Sequence, residues 1–289
     1  MSLRMQIWLI FLAPVLLVGG LYVFGLTLPV PHLGRDYVVR LLLPDPGAKL
    51  DLPEVLGPQD MSRPLVVIDA GHGGKDPGAS GAGYREKDVV LGLAEALRDQ
   101  LIEEGGIRVA LTRSDDTFLV LEERPEIARR LNADLFISIH ADSSGEVSGV
   151  RGASIYTLSE EASSEAAARF AERENSADRL NGVRIEGQSQ EISDILVELA
   201  QRRVQQNSAE FAGLIVREGL GVLQFHPQRR RAAALAVLRA PDVPAVLYES
   251  GFITDPGDAD RLTSEDGKQG FAETMARAIR IYFARQSGT

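Results

Sequence analysis

The stretch Leu65-Val66-Val67-Ile68-Asp69-Ala70-Gly71-His72-Gly73-Gly74 decides how this chain is read. Its run Leu65–Asp69 has the length and residue types of a buried β-strand, and the glycines that follow mark a sharp turn. A histidine stands in that turn. A second stretch repeats the arrangement, with Leu135–Ile139 leading into His140-Ala141-Asp142. Only four histidines occur in 289 residues, so two in matched contexts stand out from background. In open α/β sheets, ligands gather outside the carboxyl ends of strands. Two imidazoles delivered there are candidate metal ligands.

Working outward, further strands are expected at Ile107–Thr112, Ala153–Thr157 and Ala245–Tyr248. Helices are expected at Asp88–Glu104, Leu121–Asn132, Glu191–Glu218, Gln228–Leu238 and Glu265–Phe283. In the long third helix, Ile192, Ile195, Leu196 and Leu199 keep one apolar face. Strands alternating with helices imply an α/β fold, a mainly parallel twisted sheet with helices on both faces. The polar stretch 159–190 interrupts this rhythm. It reads as a surface excursion, in the kind of place where lids over α/β sites arise. Arg229-Arg230-Arg231 reads as the solvated start of a helix rather than a binding patch.

The N-terminus differs in kind. No charged residue occurs from Ile7 to Val30, and roughly 20 apolar residues suffice to cross a bilayer as a helix. Residues 1–31 therefore read as an uncleaved signal-anchor, in preference to a cleaved signal peptide with its shorter apolar core. Residues 32–63, carrying Pro44, Pro46, Pro53 and Pro58, read as an extended tether, and 64–286 as the globular body. There is no cysteine, so metal ligands are limited to His, Asp and Glu. A net charge of −10 argues against nucleic acid as a partner.

A hydrolytic zinc site needs three protein ligands and an open position. His32 lies in the tether and His226 follows no strand, so both read as structural or solvent-facing. Glu86, at the entrance of a helix after a glycine-rich loop, is the better third candidate. Spacing alone leaves it equally an acidic residue complementing a helix N-terminus. Glu249 ends the apolar run Val246-Leu247-Tyr248 and joins the histidines on one rim of the sheet. There it could act as general base, or form a buried ion pair with an arginine. Asp69 reads as a carboxylate that orients a ligand or caps the turn. Competing motifs fail: Asp76 stands where a Walker loop needs Ser or Thr, and neither Gly-x-Ser-x-Gly nor His-Glu-x-x-His is present.

Taken in order, Val67–Gly74, Arg85-Glu86-Lys87-Asp88, Leu111-Thr112-Arg113, Ser138–Asp142 and Leu247–Ile253 resemble the zinc-dependent N-acetylmuramoyl-L-alanine amidases. More narrowly, they resemble the cell-division amidases of the periplasm. The resemblance covers about Pro64 to Phe283. It implies Zn2+ held by His72, Glu86 and His140, with Glu249 as the catalytic glutamate. It also implies hydrolysis of the amide joining N-acetylmuramic acid to L-alanine of the peptidoglycan stem. Two features depart from the family pattern. Residues 32–63 are too short for the β-rich targeting domain that division-type members often carry, and Tyr248 stands where a small aliphatic residue is expected. The stretch 159–190, with Glu174-Asn175-Ser176-Ala177-Asp178, resembles a regulatory segment that covers the zinc cleft until a LytM-like activator displaces it. By analogy, one of Glu172, Glu174, Glu186 or Glu191 would occupy the open zinc position. The implied setting is the periplasm, anchored to the inner membrane, or free in the periplasm if the segment is cleaved. The rival readings are a catalytically silent peptidoglycan-binding module of the same fold and a zinc peptidase cutting within the stem.

Overall fold

A continuous apolar strand is what a sheet covered on both faces demands, because successive side chains point to opposite sides. Val66, Ile68 and Ala70 enter one core and Leu65 and Val67 the other. The computed structural model describes residues 52–143, 149–176 and 194–287, with backbone alone for 194–200. The main sheet comprises β1 (Leu65–Ala70), β4 (Arg108–Leu111), β5 (Leu135–Asp142), β6 (Ala153–Leu158), β7 (Phe225–Ala233) and β8 (Ala245–Phe252). Their order is β4-β1-β5-β8-β6-β7. All neighbours run parallel except β6 and β8. A minimal hairpin, β2 (Ser80–Gly81) and β3 (Tyr84–Arg85), precedes the first helix.

Helices α1 (Glu86–Glu104), α4 (Asp194–Gly219) and α6 (Glu265–Gln286) cover one face. On the other lie α2 (Glu123–Arg130), α3 (Glu165–Glu174) and a 3-10 turn at Ala236–Leu238. Short helix α5 (Pro256–Thr263) precedes α6. Ser164, Asp255 and Ser264 cap α3, α5 and α6, each side-chain oxygen accepting a backbone N–H.

Two expectations need correction. The segment expected as a helix at Gln228–Leu238 is instead strand β7 followed by the 3-10 turn. Its alanines and arginines favour helix locally, but the open edge of β6 supplies backbone partners that override the preference. Pro227 is tolerated because β7 is an edge strand with an irregular register near that point. Arg229 and Arg230 are accordingly solvated along a strand, not at a helix start, while Arg231 is half-buried and donates to the Tyr156 hydroxyl. The polar excursion 159–190 contains helix α3, which agrees with its resemblance to a regulatory segment.

The last residues of the expected tether pack against the body. Leu56 exchanges backbone hydrogen bonds of 2.8 and 3.0 Å with Val109 and closes the β4 edge. The expected signal-anchor and His32 lie outside the described residues. Among the described residues, no helix is long and apolar enough to cross a membrane.

Candidate active site

His72 sits in the turn after β1 with φ of 58°, in the left-handed region that non-glycine residues rarely adopt. Its Nδ1 meets the Asp76 carboxylate at 2.7 Å. The carboxylate can only accept, so Nδ1 carries the proton and Nε2 is turned inward. Nε2 lies 3.1 Å from Oε1 of Glu86.

Glu86 is the first residue of α1, two residues earlier than the helix expected from Asp88. It does not serve its own helix N-terminus. Oε2 accepts from the Ala79 N–H at 2.7 Å and Oε1 from the Ala141 N–H at 2.9 Å. These bonds aim the carboxylate between the two strand ends. Gly78, at φ of +64°, makes this possible: a Cβ there would fall 2.6 Å from both Glu86 Oε2 and His72 Cδ2.

His140, near the end of β5, brings Nδ1 to 3.1 Å from the same Oε1. Its ring packs against Gly71, where a Cβ would come to 2.5 Å from Cε1 and Nε2. Glu249 pairs in register with His140 across β5 and β8. The structure thus brings His72, Glu86 and His140 together and sets Glu249 on the adjacent strand. Glu249 forms no ion pair with an arginine among the described residues, and neither of its buried oxygens has a hydrogen-bond partner.

Helix α3 supplies a second carboxylate. Glu174 Oε2 lies 3.4 Å from His140 Nδ1 and 3.7 Å from His72 Nε2. One ligand atom each from His72, His140 and Glu174 falls within 4.8 Å of the others. Next to Glu174, Arg173 pairs with Asp142 at the end of β5. Phe170 stacks on Tyr156 at 4.5 Å between centroids. Glu172 is exposed, while Glu186 and Glu191 lie outside the described residues. A cleft of about 400 Å³ opens here, lined by His72, Asp76, Glu86, Asp142, Arg173 and Glu174 among others.

The buried carboxylates and imidazoles shift one another's titration strongly. Burial opposes charge on His72, yet Glu86 and Asp76 outweigh it and push the imidazole up to about 11. Burial likewise opposes ionisation of Glu86, but the two imidazoles hold its carboxyl well below the usual range. Glu249 goes the other way: burial, then the charges of Asp142, Glu86 and Glu174, push it well above the carboxylate range. Asp142 is raised to about 6, chiefly by burial. Two imidazoles and a carboxylate facing one point are a donor set suited to zinc. His72 Nε2, buried and without a hydrogen-bond partner among the described residues, is the atom such an ion would satisfy.

Asp69 acts beneath the site, on the elements that carry the ligands. Its carboxylate accepts from Thr112 at 2.7 Å, Ser138 at 2.6 Å and Arg124 at 2.8 Å, and does not orient His72. That task falls to Asp76, which sequence reading missed. A carboxylate four residues after the histidine, past two glycines, was the available signal. Arg173 and Asp142 were missed too, because their pairing depends on how α3 lies over β5. His226 accepts from the Gln228 N–H at 3.0 Å and contacts Arg231.

Residues 66–280, from β1 into α6, match the Amidase_3 family, described as N-acetylmuramoyl-L-alanine amidase. The chain belongs to this family. As an N-acetylmuramoyl-L-alanine amidase family member it is an enzyme, and the matched span contains every site residue named above. It is similar to N-acetylmuramoyl-L-alanine amidase AmiA of Escherichia coli strain K12, with 38% identity over 221 residues, 76% of each chain. Among solved structures, AmiC2 of Nostoc punctiforme is 29% identical with a TM-score of 0.55, covering 76% of this chain and 97% of that one. The CwlD amidase of Clostridioides difficile, solved in complex with the GerS lipoprotein, is 25% identical with a TM-score of 0.56, covering 76% and 98%.

Proposed function

We propose that this chain is a zinc-dependent peptidoglycan amidase of the periplasm. It cuts the amide between N-acetylmuramic acid and L-alanine of the stem peptide, in cell-wall remodelling and daughter-cell separation. The observation that carries this reading is the meeting of His72 Nε2 and His140 Nδ1 at Glu86 Oε1, 3.1 Å from each. Glu249 on the neighbouring strand, without a hydrogen-bond partner among the described residues, completes it.

His72, Glu86 and His140 would hold the ion, and zinc bound there supplies the polarisation of the scissile carbonyl and of a water molecule. The remaining work belongs to side chains. Asp76 keeps the His72 proton on Nδ1. Glu249 removes a proton from the attacking water and returns it to the leaving nitrogen as the carbon–nitrogen bond breaks. The products are a carboxylate on the muramic acid and the free amine of L-alanine. The raised pKa of Glu249 suits both halves of that transfer.

Glu174 is the glutamate best supported as a plug, since it stands within 3.4 Å of His140 Nδ1. In this reading α3 covers the site at rest and a LytM-like activator draws it away. A similar amidase solved in complex with a lipoprotein supports control by a partner protein. The charge-free stretch from Ile7 to Val30 supports anchoring to the inner membrane.

The test is zinc analysis combined with mass spectrometry of products released from purified sacculi. The expected products are intact stem peptides beginning with L-alanine, and Glu249→Gln should keep the zinc yet release none. Fragments cut within the stem would point to a peptidase. Retained turnover in Glu249→Gln would exclude its role, and no release by the activated parent chain would favour the silent module.

A further inference from the structure

We infer that Arg113 and Arg124 are positioning residues that set the spacing of the three metal ligands, an inference that rests on the zinc reading above. Both guanidinium groups are buried, each 4% exposed, and neither touches the cleft-facing atoms of His72, Glu86 or His140. What they hold is backbone. Arg113 Nε donates to the Ala70 carbonyl at 2.8 Å, while its Nη2 donates to the Gly71 carbonyl and the Lys87 carbonyl, both at 2.8 Å. One nitrogen therefore ties the residue before His72 to the residue after Glu86. Arg124 Nη1 donates to the Ala70 carbonyl at 2.9 Å and Nη2 to the His72 carbonyl at 2.9 Å. Three successive carbonyls are thus captured from one side, and His72 is kept at its unfavourable positive φ.

The third ligand joins through Asp69. This carboxylate, fully buried, pairs with Arg124 and accepts from Ser138, two residues before His140 on β5. The turn carrying His72, the start of α1 carrying Glu86 and the strand carrying His140 are consequently one polar unit beneath the site. Loss of such outer contacts loosens ligands without removing any of them. Lysine cannot replace either arginine, because a single ammonium cannot span carbonyls that a planar fork reaches from separate nitrogens.

The experiment compares Arg113→Lys, Arg124→Lys, Ser138→Ala and the exposed control Arg129→Gln with the parent, in the full chain stripped of metal. Zinc affinity is measured by competition with a chromophoric chelator. Circular dichroism and the melting temperature of the metal-free samples are recorded alongside. The two lysine variants are expected to bind zinc about 10- to 100-fold more weakly while keeping the parent circular dichroism. Ser138→Ala removes one hydrogen bond and is expected to lose about three- to tenfold, and Arg129→Gln nothing. Folded lysine variants that bind zinc within about twofold of the parent overturn the inference, whatever their melting temperatures. If neither lysine variant folds, Ser138→Ala decides, and a parent-like affinity there overturns it. A parent chain that takes up no zinc overturns the metal reading itself.

Discussion

The two sides of the site are built to different standards. On one side, the turn after β1, the start of α1 and the ends of β5 and β8 are sewn to the core by buried, paired groups. Asp69 alone accepts three hydrogen bonds at 0% exposure. On the other side, α3 buries only Ala167, Phe170 and Ala171. It reaches the site through Glu174 and through Arg173, whose side chain is 51% exposed. The first side cannot move without breaking buried polar contacts, each costly to leave unmade. The second can leave at the expense of a small apolar patch, a partly solvated ion pair and the two part-buried hydrogen bonds that Asn175 makes with Ala234 and Ala236. The difference separates a rigidly tied side from a loosely tied one, and under the proposed function the first is machinery and the second cover.

Changes on the core side are accordingly expected to remove function, and changes on the cover to release it. The largest effect is expected for Glu249→Gln. Turnover on sacculi should fall about 10²- to 10⁴-fold while zinc stoichiometry stays at the parent value. Equal loss of zinc would assign Glu249 to the ligand set instead. Gly71→Ala comes next: its Cβ would push into the His140 ring, and zinc affinity should weaken about 10- to 100-fold. Parent affinity in that variant would mean that the turn yields more easily than its buried contacts suggest.

On the cover side, Glu174→Gln should raise the basal rate without activator by about fivefold or more, in a protein with parent zinc content. A lower rate would make Glu174 part of the machinery and erase the contrast between the two sides. The smallest effect concerns stability in the metal-free protein. Glu249 has a raised pKa when folded, so the folded state holds its proton more tightly than the unfolded one. The stability this lends is fully present below the ordinary value of 4.5 and drains away as pH rises toward the raised value. Glu249→Gln should therefore raise the melting temperature near about pH 8 and leave it close to the parent near about pH 4. Equal gains at both would remove burial of charge as the cause.

Much of this was legible in the chain alone, for a definite reason. Buried strands of a two-faced sheet read as continuous apolar runs, so Leu65–Asp69, Leu135–Ile139 and Val246–Tyr248 declare both the fold and the rim on which His72, His140 and Glu249 stand. Glu86 was legible as a candidate but not as a choice, because its aim depends on the Ala79 and Ala141 amides. Strand β7 was misread because edge pairing with β6 is a non-local gain that no local propensity records. Of the two candidate glutamates among the described residues, Glu172 and Glu174, only the lie of α3 over β5 brought Glu174 to the histidines, just as it created the Arg173–Asp142 pair. Sequence by itself determined the architecture and the identity of the site-bearing strand ends, because hydrophobic periodicity is local. Tertiary structure alone decided which carboxylates and guanidinium groups face one another, because those partners lie tens of residues apart and meet only when the sheet has closed.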